Sequence, residues 1–259
     1  MPDTANPNAA TNPSSPQPAD RAGGLKGRGL WCVDASTSMV TTLATAGFDW
    51  VCVDLQHGRY GRAELIDIAR ARTEHSAPLV VRVPSVEFTT IGLALDVGAS
   101  AVIVPQIDTP EQAAQAVEAT FYPPRGRRSH GQLQTSWGAP TVGVADANQR
   151  TTCAVMIESA TALANVEAIA AVPGIDMLFI GPNDLTLSLG SSVDAALDDT
   201  STESAINRIL SAAEANHLRV GAFGGNPATA ERFNQRGISC TVVATDGWVV
   251  WQGAAAALS

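Results

Sequence analysis

From Gly29 onward, short runs of β-branched and aliphatic residues alternate with longer stretches in which apolar positions recur every three or four residues. The short runs predict strands over 30–33, 50–54, 79–83, 101–105, 153–158, 177–180, 219–223 and 240–244. The helical spacing predicts crossovers over 37–46, 63–72, 89–97, 110–120, 162–171, 204–217 and 227–236, with a last helix over 247–258. A helix after every strand is the order of a single α/β domain of the (β/α)8 type, the TIM barrel, and 259 residues suit one such domain. The longest break, 122–150, opens with Tyr-Pro-Pro-Arg-Gly-Arg-Arg-Ser-His-Gly and is expected to lie over the site.

Such barrels assemble their active sites from the C-terminal ends of the strands and the loops that follow. The residues at those positions are Asp34, Asp54 with His57, Arg82, Gln106, Glu158, Asp184 and Asp246. Carboxylates, an imidazole and a guanidinium are therefore expected on one rim.

Composition narrows the chemistry. Residues 1–24 are rich in Pro, Asn, Ala, Ser and Thr with almost no large apolar side chain. Such a stretch buries too little surface to offset its ordering entropy, so a disordered tail over 1–24 and a barrel domain over 25–259 are expected. The tail has no apolar core of a secretory signal, and no later run is long enough to span a bilayer, which predicts a soluble cytoplasmic protein. A net charge of −9 and the absence of a basic, aromatic-bearing stretch argue against nucleic acid as a partner. The four cysteines sit singly in apolar runs, the pattern of reduced core thiols and not of a zinc or disulfide framework. There is no Gly-x-Gly-x-x-Gly or P-loop spacing to seat a nucleotide. Lys26 is the only lysine and lies beside the tail, so Schiff-base chemistry, which needs a buried amine, is argued against.

Each rim residue has a structural alternative. Glu158 ends one predicted strand and Asp184 follows the next; together they offer hard oxygen ligands for Mg2+, Mn2+ or a similar ion, but Asp184 can equally cap a helix over 185–189. His57 lies three residues after Asp54, a carboxylate able to fix its tautomer for general-base work, or it is a loop imidazole bonded to a turn. Arg82 interrupts an apolar strand and needs an anion, either Asp54 or a substrate carboxylate or enolate oxygen. Gly181-Pro182 before Asn183-Asp184 leaves backbone N–H groups free at a helix start, where a carboxylate can sit.

Five stretches together resemble the HpcH/HpaI aldolase family, the class II 4-hydroxy-2-oxoheptanedioate aldolases and relatives of the phosphoenolpyruvate/pyruvate superfamily. They are Ala-Gly-Phe-Asp-Trp-Val-Cys-Val-Asp-Leu-Gln-His at 46–57, Asp-Val-Gly-Ala-Ser-Ala-Val-Ile-Val-Pro at 96–105, Tyr-Pro-Pro-Arg-Gly at 122–126, Ile-Glu-Ser at 157–159 and Phe-Ile-Gly-Pro-Asn-Asp-Leu at 179–185. The resemblance runs from about residue 29 to 257 and implies a divalent-metal-dependent (Mg2+, Mn2+ or Co2+) aldolase that cleaves 4-hydroxy-2-oxo acids reversibly to pyruvate and an aldehyde. It implies that Glu158 and Asp184 hold the metal, that His57, oriented by Asp54, is the base, and that Arg82 holds the ketone or enolate oxygen. It further implies that Gly181, Asn183 and Asp184 seat the pyruvate carboxylate, that Asp96 lies near a subunit boundary beside substrate, and that the assembly is a trimer-of-dimers homohexamer. Two positions depart: Met156 stands where many members carry Gln, and Gln56 replaces the usual acid before His57. Two other readings remain at this point: an oxaloacetate-using condensing or decarboxylating relative, citrate-synthase-like or macrophomate-synthase-like, and a catalytically silent ligand-binding barrel.

Overall fold

The computed structural model describes residues 25–201 and 203–259, so the tail expected over 1–24 lies outside the described residues. Among them, strands β1 (Gly27–Cys32), β2 (Trp50–Asp54), β3 (Leu79–Arg82), β4 (Ala101–Val104), β5 (Thr152–Ile157), β6 (Met177–Ile180), β7 (Arg219–Phe223) and β8 (Cys240–Thr245) pair in sequence order into a closed barrel. All ladders are parallel, and β8 returns to β1. The architecture is the expected (β/α)8 barrel. Around it lie α1 (Thr37–Leu43), α2 (Arg62–Ala71), α3 (Phe88–Asp96), α4 (Pro110–Thr120), α5 (Val144–Arg150), α6 (Ala160–Ala164), α7 (Val166–Ala170), α8 (Pro182–Ser188), α9 (Val193–Asp198), α10 (Ala205–Ala215), α11 (Pro227–Gln235) and α12 (Asp246–Ala257).

Local chemistry accounts for the sharpest boundaries. Thr109 caps α4, its hydroxyl accepting from Gln112 N while the Gln112 side chain returns the bond, and Pro110 follows at the first helical position. α1 stops three residues short of expectation: the chain tightens, with Thr45 N donating to Thr42 O, and Gly47 then takes φ +99, open to glycine at little cost. The helix expected over 162–171 is two, divided at Asn165, whose side chain leaves the helix to donate to Asp108 O at 2.7 Å. The break over 122–150 carries a short 3-10 helix, Leu133–Trp137, and α5, too brief for periodicity to reveal.

Alternation along the strands divides the core in two. Leu30, Cys32, Val51, Val53, Val81 and Val102 face outward into the layer beneath the helices. Trp31, Trp50, Cys52, Val80, Ile103, Met156, Met177 and Phe179 fill the barrel interior. All four cysteines are free and buried, as expected, and burial pushes Cys153 and Cys240 up to about 12, so they stay protonated packing groups. Among the described residues no helix is long and apolar enough to cross a membrane.

Candidate active site

The β2–β3 ladder sets Asp54 directly opposite Arg82 at the end where the strands open onto the rim. Arg82 Nε donates to Asp54 Oδ1 at 2.8 Å, and an Nη donates to Oδ2. Both side chains are buried. The same carboxylate accepts from the Trp31 indole at 3.2 Å, from Gln56 N at 2.9 Å and from His57 N at 3.2 Å. The indole also lies under the guanidinium, 5.0 Å from ring centroid to Cζ, and rests on Phe179 and Phe223. Burial alone would raise the Asp54 carboxyl, but its hydrogen bonds and the Arg82 charge outweigh that and hold it below the usual carboxylate range.

This corrects one expectation. Asp54 meets His57 through its backbone N–H, and the carboxylate is spent on Arg82 instead of on the imidazole, because a buried guanidinium is the stronger claimant for it. Arg82 in turn keeps donors beyond those given to Asp54, since a guanidinium carries five N–H groups.

Across the barrel, β5 and β6 end in register at Ile157 and Ile180, so Glu158 and Gly181 emerge side by side. A Cβ on Gly181 would lie 2.9 Å from Oε2 of Glu158 and from Cε of Met156, so glycine keeps the space beside that oxygen clear. Oε1 of Glu158 accepts from Gln106 N at 2.6 Å. Burial foremost, and then the charge of Asp184, push the Glu158 carboxyl up, while the Gln106 N–H, Arg82 and His57 pull it down.

Asp184 sits exposed in the first turn of α8, which begins at Pro182 behind Gly181. The helix starts earlier than 185–189, so Asp184 lies inside its first turn and not at its cap. Asn183 and His57 are exposed on the same rim. Among the described residues no group of three or more His, Cys, Asp and Glu side chains is placed to hold a metal. Two carboxylates of hard oxygen, with clear space beside one, fit an ion that keeps waters and takes its remaining ligands from substrate.

Other candidates go elsewhere. Asp96 ends α3, which runs back from the rim toward the start of β4, so it lies away from its own chain's site and pairs with Arg128 at 2.6 Å. A substrate contact from Asp96 within its own chain is thus not what this fold provides. Asp246, buried at the end of β8, spends Oδ2 on Val33 N, Asp34 N and Ala35 N at 3.0, 2.8 and 2.7 Å and fixes the β1–α1 loop. Asp34 is exposed and loosely paired with Arg59 at 3.6 Å. The Trp31 contribution was missed; the signal available was alternation, which turns Trp31 inward on β1 as it turns Asp54 inward on β2.

The family model described as HpcH/HpaI aldolase/citrate lyase matches residues 28–252. The chain is 36% identical over 220 residues to a 2-dehydro-3,6-dideoxy-6-sulfogluconate aldolase of Pseudomonas putida, covering 84% of this chain and 86% of the relative. It is 36% identical over 231 residues to a hydroxypyruvate/pyruvate aldolase of Paraburkholderia phytofirmans, covering 86% of this chain and 87% of the relative. Its fold is similar to the crystal structure of an HpcH/HpaI aldolase/citrate lyase family protein from Burkholderia cenocepacia J2315, with a TM-score of 0.80, 33% identity and coverage of 93% and 96%.

Proposed function

Because this chain belongs to the HpcH/HpaI aldolase/citrate lyase family and is a carbon–carbon lyase, we propose that it cleaves 4-hydroxy-2-oxo acids reversibly to pyruvate and an aldehyde with a divalent metal held by Glu158 and Asp184. The observation that carries this reading is the setting of Glu158: a buried carboxylate at the end of β5, with Oε1 held by Gln106 N and Oε2 beside the space that Gly181 keeps clear, next to the start of α8 that carries Asp184. The aldolase names of the relatives support the reaction class, and pyruvate appears in one of them.

When bound, a divalent ion such as Mg2+, Mn2+ or Co2+ would supply Lewis-acid polarisation of the 2-oxo group. The chain's own residues would do the rest. Arg82, locked by Asp54 and Trp31, would present its remaining donors to the C2 oxygen as negative charge gathers there. His57, exposed at the rim, would take the proton from the C4 hydroxyl. The C4–O bond then becomes the aldehyde carbonyl, the C3–C4 bond breaks, and its electron pair passes into the C2–C3 unit. A proton delivered to C3 completes pyruvate. Backbone N–H groups at Asn183 and Asp184, in the first turn of α8, would seat the carboxylate beside Gly181. Asp54 would act through Arg82, positioning it.

We further propose a homo-oligomer, a trimer-of-dimers hexamer, in which α12 packs on another copy and Asp96 lies at a subunit boundary. The test of the activity is pyruvate release from a racemic 4-hydroxy-2-oxo acid, coupled to lactate dehydrogenase, with EDTA-stripped protein before and after Mg2+, Mn2+ or Co2+ is added. Turnover restored by metal supports the reading; a folded protein silent with every metal overturns it.

A further inference from the structure

The loop that follows β4 has an uncommon backbone. Gln106 takes φ +57, the left-handed region that a residue bearing a Cβ seldom adopts without support. That conformation aims its N–H at Oε1 of Glu158, 2.6 Å away. Ile107 anchors the loop by full burial, and Asp108 then turns its carboxylate onto the hydroxyl of Ser159, the residue next to Glu158. Asn165 Nδ2 donates to Asp108 O at 2.7 Å, and Gln112 Oε1 accepts from Asp108 N at 2.7 Å. The loop after β4 is thus stitched to the chain after β5 at Glu158, Ser159 and Asn165.

We propose that Asp108 and Ser159 form a positioning clamp: their bond keeps Gln106 left-handed, and Gln106 keeps the Glu158 carboxylate in one rotamer, with Oε1 engaged and Oε2 presented to a divalent cation. This rests on the reading of Glu158 as a metal ligand. The physical reason is preorganisation. Without the Asp108–Ser159 bond, the loop keeps its backbone anchors at Asp108 but loses its tie to the residue beside Glu158, so Gln106 is freer to leave positive φ and the buried carboxylate must be ordered more by the ion itself. Groups that orient a ligand in this way are worth about 10- to 100-fold in metal affinity. The inward face of Gly181 is the other half of the arrangement, since it leaves Oε2 room.

The experiment is titration of metal-stripped full-length protein with Mn2+ alone, reading the free-ion signal by electron paramagnetic resonance, without substrate. Wild type is expected to bind Mn2+ and Glu158→Gln to bind far more weakly. Asp108→Ala should weaken binding about tenfold or more, whereas Asp108→Asn, whose amide oxygen still accepts from Ser159, should stay within about threefold of wild type. Adding Gln106→Gly to Asp108→Ala should recover part of the loss, because glycine populates positive φ without the Cβ penalty. Circular dichroism and thermal melts show that each variant is folded; should Asp108→Ala not fold, Ser159→Ala removes the same bond from the other side, along with the bond by which Ser159 Oγ caps α6 at Ala162 N. Wild-type affinity in the folded clamp variant overturns the clamp and leaves Glu158 a ligand. Equal, weak binding by wild type and Glu158→Gln overturns the ligand reading, and the clamp falls with it.

Discussion

Arg82 and Asp54 stand opposite each other across the β2–β3 ladder and share two hydrogen bonds inside the barrel mouth. Removing either partner strands the other, and a buried ion pair broken on one side costs about 3–5 kcal/mol. Arg82→Ala is therefore expected to abolish turnover and to lower stability as well. Arg82→Lys separates the two effects. It keeps the positive charge but cannot reproduce the fork, so turnover should fall on the order of 10²-fold, while urea unfolding shifts by only on the order of 1 kcal/mol. Wild-type turnover in Arg82→Lys would remove Arg82 from the chemistry.

Asp54 also makes a specific prediction about acid. Its folded carboxyl is held below the ordinary value of 3.8, so the folded state binds fewer protons than the unfolded state in that window. The resulting stability is fully present above the unfolded value and is lost as pH falls through the folded one. The gap in melting temperature between wild type and Asp54→Asn should stay level from pH 7 to about 4 and then close. A gap that narrows already between about pH 7 and 5 would mean that some other group governs it.

The barrel was legible because each strand and helix repeats one local rule. Runs such as 50–54, 177–180 and 219–223 match β2, β6 and β7 end to end, and the strand ends alone placed Asp54, Arg82 and Glu158 on the rim. What was not legible depends on partners distant in sequence. Asp54 had two claimants in the sequence, His57 three residues on and Arg82 28 residues on, and only the folded register shows that Arg82 takes its carboxylate. Asp246 looked like one more rim acid until three backbone N–H groups of the β1–α1 loop, more than 200 residues earlier, were seen to occupy it. α9 was not legible because six residues hold too few turns to show a period.

Those three bonds make Asp246 a stability residue. A carboxylate oxygen accepting from Val33, Asp34 and Ala35 orders the loop beside Trp31 and ties the last strand to the first. Bonds to a charged acceptor contribute about 1.5–3 kcal/mol each at most, and they are not independent, so Asp246→Ala should destabilise the fold by about 3 kcal/mol. Chemical denaturation gives the energy. Amide hydrogen exchange at residues 33–35 should rise before the rest of the barrel opens, and unchanged protection there would contradict the assignment.

The last prediction concerns α12, whose sequence from Gly247 to Ser259 carries no charged residue. Trp248 and Val249 pack on the core, but Val250 is 53% and Trp251 68% exposed, and the helix is tied to its own chain chiefly at β1, β8 and, through Asp246, the β1–α1 loop. An apolar helix with an open aromatic face is poorly suited to water, and burying one such side chain is worth about 1.5–3 kcal/mol. A second copy repeated by symmetry supplies that burial at every equivalent helix at once. Trp251→Glu should therefore shift the protein to smaller species in sedimentation velocity, with the barrel's melting transition retained, because the substituted side chain touches no interior layer. Wild type sedimenting as a monomer at micromolar concentration would show that α12 needs no partner, and the proposed assembly would be wrong.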